Sequence, residues 1–108
     1  MNVQENKKQS KKNDDMKNNL LSVLKALSDP TRLYIIKTLI GDEPGVPRHC
    51  TTFNLTLSKP TISHHFKILR NAGLINQYDN GNHSTTMLRR DEIEKQYPGL
   101  LDILSKSE

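Results

Sequence analysis

Apolar positions recur along most of the chain at helical spacing, and the breaks between them mark out the elements. Met16, Leu20, Val23, Leu24 and Leu27 step down one face of a helix, with Leu21 and Ala26 lying off that stripe. An apolar residue outside the stripe of a short surface helix points to a second packing partner. Asp29 then offers an N-cap and Pro30 a first-turn residue, so a second helix starts there. Leu33, Ile36 and Ile40 line its inner face, Ile35 and Leu39 broaden it, and Gly41 closes it. The loop GDEPGVPR follows, dense in glycine and proline. The segment HCTTFN from His49 carries a weak helical pattern, with Phe53 and Leu57 expected to face the core.

The strongest pattern is LSKPTISHHFKILRNAGLI, Leu57 to Ile75, read as a helix over Ser58–Ala72. Ser58 can cap it, Pro60 sits in the first turn where a missing N–H costs nothing, and Gly73 supplies the left-handed residue that ends it. Ile62, Phe66 and Leu69 form one apolar stripe. The opposite face carries Pro60, His64, Lys67 and Asn71, flanked by Ser63, Arg70 and Thr61, and no carboxylate occurs from Leu57 to Tyr78. Such a front suits phosphates and base edges.

Two short β-prone runs flank Asn80-Gly81, a hairpin signal. Helix, turn, helix and hairpin give a mainly α (α+β) fold: a winged helix-turn-helix of about five helices with one hairpin wing. Asn82 and His83 fall at the wing tip, Arg89 and Arg90 at its exit. In the last segment Asp91 and Glu94 have capping-box spacing, and Ile93, Tyr97, Leu100, Leu101 and Leu104 repeat the stripe of the first helix. Pro98 predicts a kink or two short helices. Two matching terminal stripes on so small a domain suggest a homodimer joined through Met16, Leu20, Leu21, Leu24, Leu100, Leu101 and Leu104.

Charge sharpens this picture. The 108 residues carry a formal charge of +4. Between Ser58 and Arg90 the bases Lys59, Lys67, Arg70, Arg89 and Arg90 meet only Asp79, and the remainder of the chain balances. The excess therefore lies in one third of the sequence and implies a polyanionic partner there. Residues 1–15 are polar with four lysines and read as a disordered basic tail, leaving 16–108 to fold. The lone Cys50 rules out an internal disulfide, and with no membrane-length apolar run or signal pattern the expected setting is the cytoplasm. No phosphate-binding glycine loop, nucleophile elbow or carboxylate pair is visible, so no enzyme is expected.

The segments ALSDPTRLYIIKTL and LSKPTISHHFKILRNAGLI, followed by a wing, strongly resemble the ArsR/SmtB family of bacterial winged-helix repressors over about Leu20 to Arg90. The resemblance implies a homodimer that places two reading helices in successive major grooves of a near-palindromic operator. It also implies repression relieved by an effector, often a metal ion. The chain departs from the metal-sensing members. Where they carry two cysteines around one residue, RHCTTFN has a single thiol, and no histidine follows His83 for a site on the last helix. No metal or other cofactor is expected at either place. His49 beside Cys50 would need ligands from elsewhere in the chain. Cys50 remains a candidate redox switch if Arg48 and His49 lower its thiol pKa, against the alternative of a packed structural cysteine. A metal- or thiol-responsive repressor and a DNA-independent interaction module are the rival readings.

For DNA, Lys59, Thr61, Ser63, His64 and Lys67 are assigned to the major groove, with Ser63 and His64 reading bases. Lys59, Lys67 and Arg70 are assigned to phosphates, and Asn82, His83 and Arg89 to the wing.

Overall fold

The computed structural model describes residues 20–107 apart from Asn82. The expected tail and Met16 lie outside the described residues. Helix α1 covers residues 20–27 and α2 Pro30–Gly41. Strand β1, Arg48–His49, leads into one 3-10 turn, Cys50–Phe53. Helix α3, Lys59–Asn71, is followed by the hairpin of β2, Ile75–Asp79, and β3, Ser84–Leu88. Helices α4, Arg90–Gln96, and α5, Leu100–Lys106, close the chain. Among the described residues no helix is long and apolar enough to cross a membrane.

The helix boundaries expected at Asp29, Ser58 and Gly73 form. Asp29 accepts from the backbone N–H groups of Thr31 and Arg32 at 2.9 and 3.1 Å, and Pro30 follows in the first turn. Ser58 Oγ faces the Thr61 N–H at 3.4 Å. Gly73, at φ +80°, turns the chain out of α3 so that the Leu74 N–H reaches the Leu69 carbonyl at 3.1 Å. The hairpin pairs Ile75 with Leu88 through Asp79 with Ser84, and β1 adds to the outer edge of β3, giving the sheet order β1-β3-β2. The segment before α3 is thus a two-residue strand plus a 3-10 turn, where a weak helix was expected. Two residues hold no detectable period, so β1 has no signature in the sequence.

One core joins these elements. Phe53 and Phe66 meet edge-on with ring centroids 5.6 Å apart, and Ile35, Ile36, Leu39, Leu69, Leu74, Ile75 and Ile93 complete it. The inner face of α2 is Ile35, Ile36 and Leu39, while Leu33 and Ile40 are only half-buried. Leu57, expected inside, is 40% exposed; the chain passes it in the approach to the Ser58 cap.

Helix α1 turns a different side inward from the expected stripe. Val23 and Ala26 are buried, whereas Leu20, Leu21 and Leu24 are exposed. A helix that is apolar almost all round can seat either face, and the side with alanine permits the closer approach. Asp91 does not cap α4: Arg89 holds the cap position, and its side chain makes no capping bond to the helix backbone. The start of α4 is set by Arg90, whose Nη2 donates to the carbonyls of Leu39, Ile40 and Asp42 at 2.8, 3.2 and 2.8 Å. Glu94 instead accepts from the Gly99 N–H at 3.1 Å, across the break at Pro98 that divides α4 from α5.

Phe66→Ala should lower stability by about 3–5 kcal/mol, the usual range for truncating a buried aromatic. Urea unfolding of the variant checks this, and a midpoint equal to the parent's would contradict the packing described.

Candidate nucleic-acid interface

The two sides of α3 differ in what they touch. Its back contributes Phe66 and Leu69 to the core, with Ile62 half-buried beside them. Its front leaves Lys59, Thr61, Ser63, His64, Lys67, Arg70 and Asn71 exposed. The first turn holds no acidic residue, and with Pro60 lacking an N–H and Thr61 capped by Ser58 it is Lys59 that keeps a free backbone N–H there. An anion approaching that end meets the positive pole of the helix and the Lys59 ammonium together.

Neighbouring histidines on α3 have opposite environments. His64 is exposed, while His65 is 9% exposed with its Nδ1 at 3.1 Å from Arg32 Nη1 and 3.9 Å from Asp29 Oδ2. Arginine can only donate, so Nδ1 accepts in this contact. Arg32 also donates through Nε to the Ala26 carbonyl at 2.8 Å and through Nη2 to that of Lys25 at 3.3 Å. A single guanidinium thus joins the end of α1 to the buried side of the reading helix. Asp29, held below the usual carboxylate range chiefly by the Arg32 backbone N–H, completes this node. Nothing in the sequence signalled the Arg32–His65 contact, because the partners lie on different helices.

At the other end of α3, Arg70 Nη1 donates to Gln77 Oε1 on β2 at 2.5 Å. The helix is therefore tied to the wing as well as to the core. The hairpin turns at Asn80-Gly81, with Gly81 at φ +84° and the Asn80 N–H donating to the His83 carbonyl at 2.8 Å. His83 is exposed near the tip, and Asn82 lies outside the described residues. Arg89 stands at the foot of the hairpin, ion-paired with Glu92.

Cys50 is half-buried behind the wing, where Gln77 Nε2 points at its Sγ from 3.8 Å. Burial pushes its thiol above the ordinary range; a hydrogen bond from Ser84 opposes the rise, Asp79 adds to it, and Gln77 opposes it more weakly. The neighbours expected to lower it are engaged elsewhere. Arg48 makes a two-pronged pair with Asp42, both contacts at 2.8 Å, and the His49 ring lies against that of His83. Neither Arg48 nor His49 is among the groups that lower the thiol.

The expected dimer residues fall into two groups. Leu20, Leu21 and Leu24 form an exposed apolar row on α1. Leu100, Leu101 and Leu104 are half-buried against the chain's own core, with Ile103 beside them 64% exposed.

A model of the bacterial regulatory proteins of the arsR family matches residues 29–77, from the cap of α2 into β2. The transcriptional repressor SdpR of Bacillus subtilis (strain 168) is 32% identical over 87 residues, spanning 81% of this chain and 94% of the relative. The chain belongs to the arsR family. A further relative, the uncharacterized HTH-type transcriptional regulator YceK of the same strain, is 35% identical over 82 residues, 76% of this chain and 82% of its own length. Among solved structures, the ArsR-like transcriptional regulator from Rhodococcus sp. RHA1 superposes with a TM-score of 0.58 at 26% identity, covering 80% of this chain and 77% of that one. Family membership accounts for the order of elements, including the winged helix-turn-helix expected from the sequence. The family model ends at Gln77, so the second half of the wing and the helices beyond it are described by this chain's own geometry.

Because burial raises the Cys50 thiol, alkylation by iodoacetamide at neutral pH should be slower than for free cysteine and should accelerate only at strongly alkaline pH. A rate at or above that of free cysteine would contradict the environment described.

Proposed function

We propose that this member of the arsR family is a homodimeric transcriptional repressor that binds duplex DNA through α3. The observation that carries the proposal is the division of that helix. Phe66 and Leu69 are sealed inside, while Lys59, Thr61, Ser63, His64, Lys67 and Arg70 all stand in solvent with no carboxylate among them. A helix of 13 residues with this front fits the major groove. Ser63 and His64, at its middle, are the base readers in this reading. Lys59 and Lys67 contact phosphates, and Arg70 joins them with the donors that Gln77 leaves free. His83 and Asn82 serve the wing. Arg89 is engaged with Glu92 at the foot of the hairpin and is left out of the contact set.

Repression, as distinct from binding, is supported by the similarity to SdpR, named a transcriptional repressor. Dimerisation is supported by the exposed row Leu20, Leu21 and Leu24, which a second copy would cover alongside the outer edge of α5. Two such helices related by a two-fold axis would read half-sites with centres about 34–36 Å apart. Binding DNA in this way involves no catalytic step.

Fluorescence anisotropy on duplexes selected from random sequence tests the proposal. Lys67→Ala should weaken binding to every sequence and lower the salt slope by about 0.9 for each phosphate left without its lysine. Ser63→Ala should instead relax discrimination, at about 1–3 kcal/mol for a good base contact. Binding indifferent to salt, or both variants matching the parent, would reject this assignment.

A further inference from the structure

His49 and His83 are far apart in sequence and share no role in the fold, yet their rings lie together, with centroids 4.8 Å apart and planes inclined by 40°. The strand register explains the meeting. Pairing of His49 with Thr85 places His83 two residues before that partner, just ahead of the first residue of β3. This is the diagonal position from which ring side chains on adjacent strands reach each other. Both residues are exposed, and none of the ion pairs among the described residues involves either ring.

The spacing is within the ordinary range for paired rings and is also one that two imidazoles on a single ion adopt. With a metal–nitrogen bond of about 2.0–2.1 Å and the ring centre about 1.1 Å beyond, centroids lie about 4.5 Å apart at a right angle and about 5.1 Å apart at the tetrahedral angle. The observed separation of 4.8 Å falls between these. We propose that His49 and His83 form a binding site at the wing for a borderline divalent transition metal ion such as Zn(II), Ni(II) or Cu(II). Among the described residues no group of three or more His, Cys, Asp and Glu side chains gathers around one point, so water fills the remaining positions. An all-imidazole donor set excludes ions that demand oxygen ligands and those that demand thiolate. Cys50 follows His49 but is half-buried with Gln77 at its sulfur, away from the exposed rings. The site shares His83 with the proposed wing contacts but none of the α3 residues, and it joins β1 to the start of the returning strand of the wing.

Histidine-ring resonances followed by NMR during a Zn(II) titration of the full chain test the assignment. The His49 and His83 rings should move together with one midpoint, and His64, exposed on α3, should not follow them. His83→Ala should raise the midpoint of the His49 response at least tenfold, with the backbone amide spectrum of the remaining chain preserved. His64→Ala should leave it unchanged. Separate midpoints for the two rings, no response of either, or a His49 response that survives His83→Ala would overturn the site. None of these readouts involves DNA, so they stand whether or not α3 reads an operator.

Discussion

The edge-on contact of Phe66 with Phe53 is where the reading helix is anchored, and the rest of the structure serves to keep it so. Phe66 lies on α3, while Phe53 ends the 3-10 turn that precedes it, so the pair fixes the helix to the segment delivering it. Leu69 deepens the same seat among Ile35, Ile36 and Leu39 of α2. Rotation of α3 about its axis would expose one of these side chains and bury a charged one. Each of those changes is costly, the second more so because a buried unpaired charge loses its hydration. The orientation of the polar front therefore follows from the packing of the back.

Arginines fasten the frame around this seat. Arg32 joins the end of α1 to His65 on α3, beside the Asp29 cap of α2. Arg90 satisfies carbonyls at the other end of α2, and Arg48 grips Asp42 just beyond it. These are charges employed to complete helix ends and loops, positions where unpaired carbonyls would otherwise need water. The charge excess of the Ser58–Arg90 region has to be redistributed accordingly. Arg90 is committed to carbonyls and Arg89 to Glu92, which leaves Lys59, Lys67 and Arg70 as the basic groups of the exposed helix face. A partner drawn by charge would meet α3 itself before the foot of the wing.

The sequence was most legible where a local rule decides structure. Asp29-Pro30, Ser58 with Pro60, Gly73 and Asn80-Gly81 each marked a boundary that the fold keeps, since caps and turns depend on residues a few positions apart. The exposed face of α3 was legible for the same reason, because one apolar stripe leaves only one possible front. Legibility failed where tertiary choices decide. Periodicity could not say whether α1 would seat Leu24 or Ala26, and the fold seats Ala26. Asp91 and Glu94 had cap spacing, but the hold of Arg90 on α2 moved the start of the helix. The two residues of β1 were too few to show a period, and the meeting of His49 with His83 depends on their pairing with β3.

Lysine acetylation footprinting with and without a selected duplex tests most directly whether the sealed back of α3 aims its front at DNA. Bound duplex should shield Lys59 and Lys67 on α3, while Lys95 and Lys106, on the closing helices, react as they do in the free protein. Protection of Lys95 and Lys106 with Lys59 and Lys67 still fully reactive would contradict that orientation.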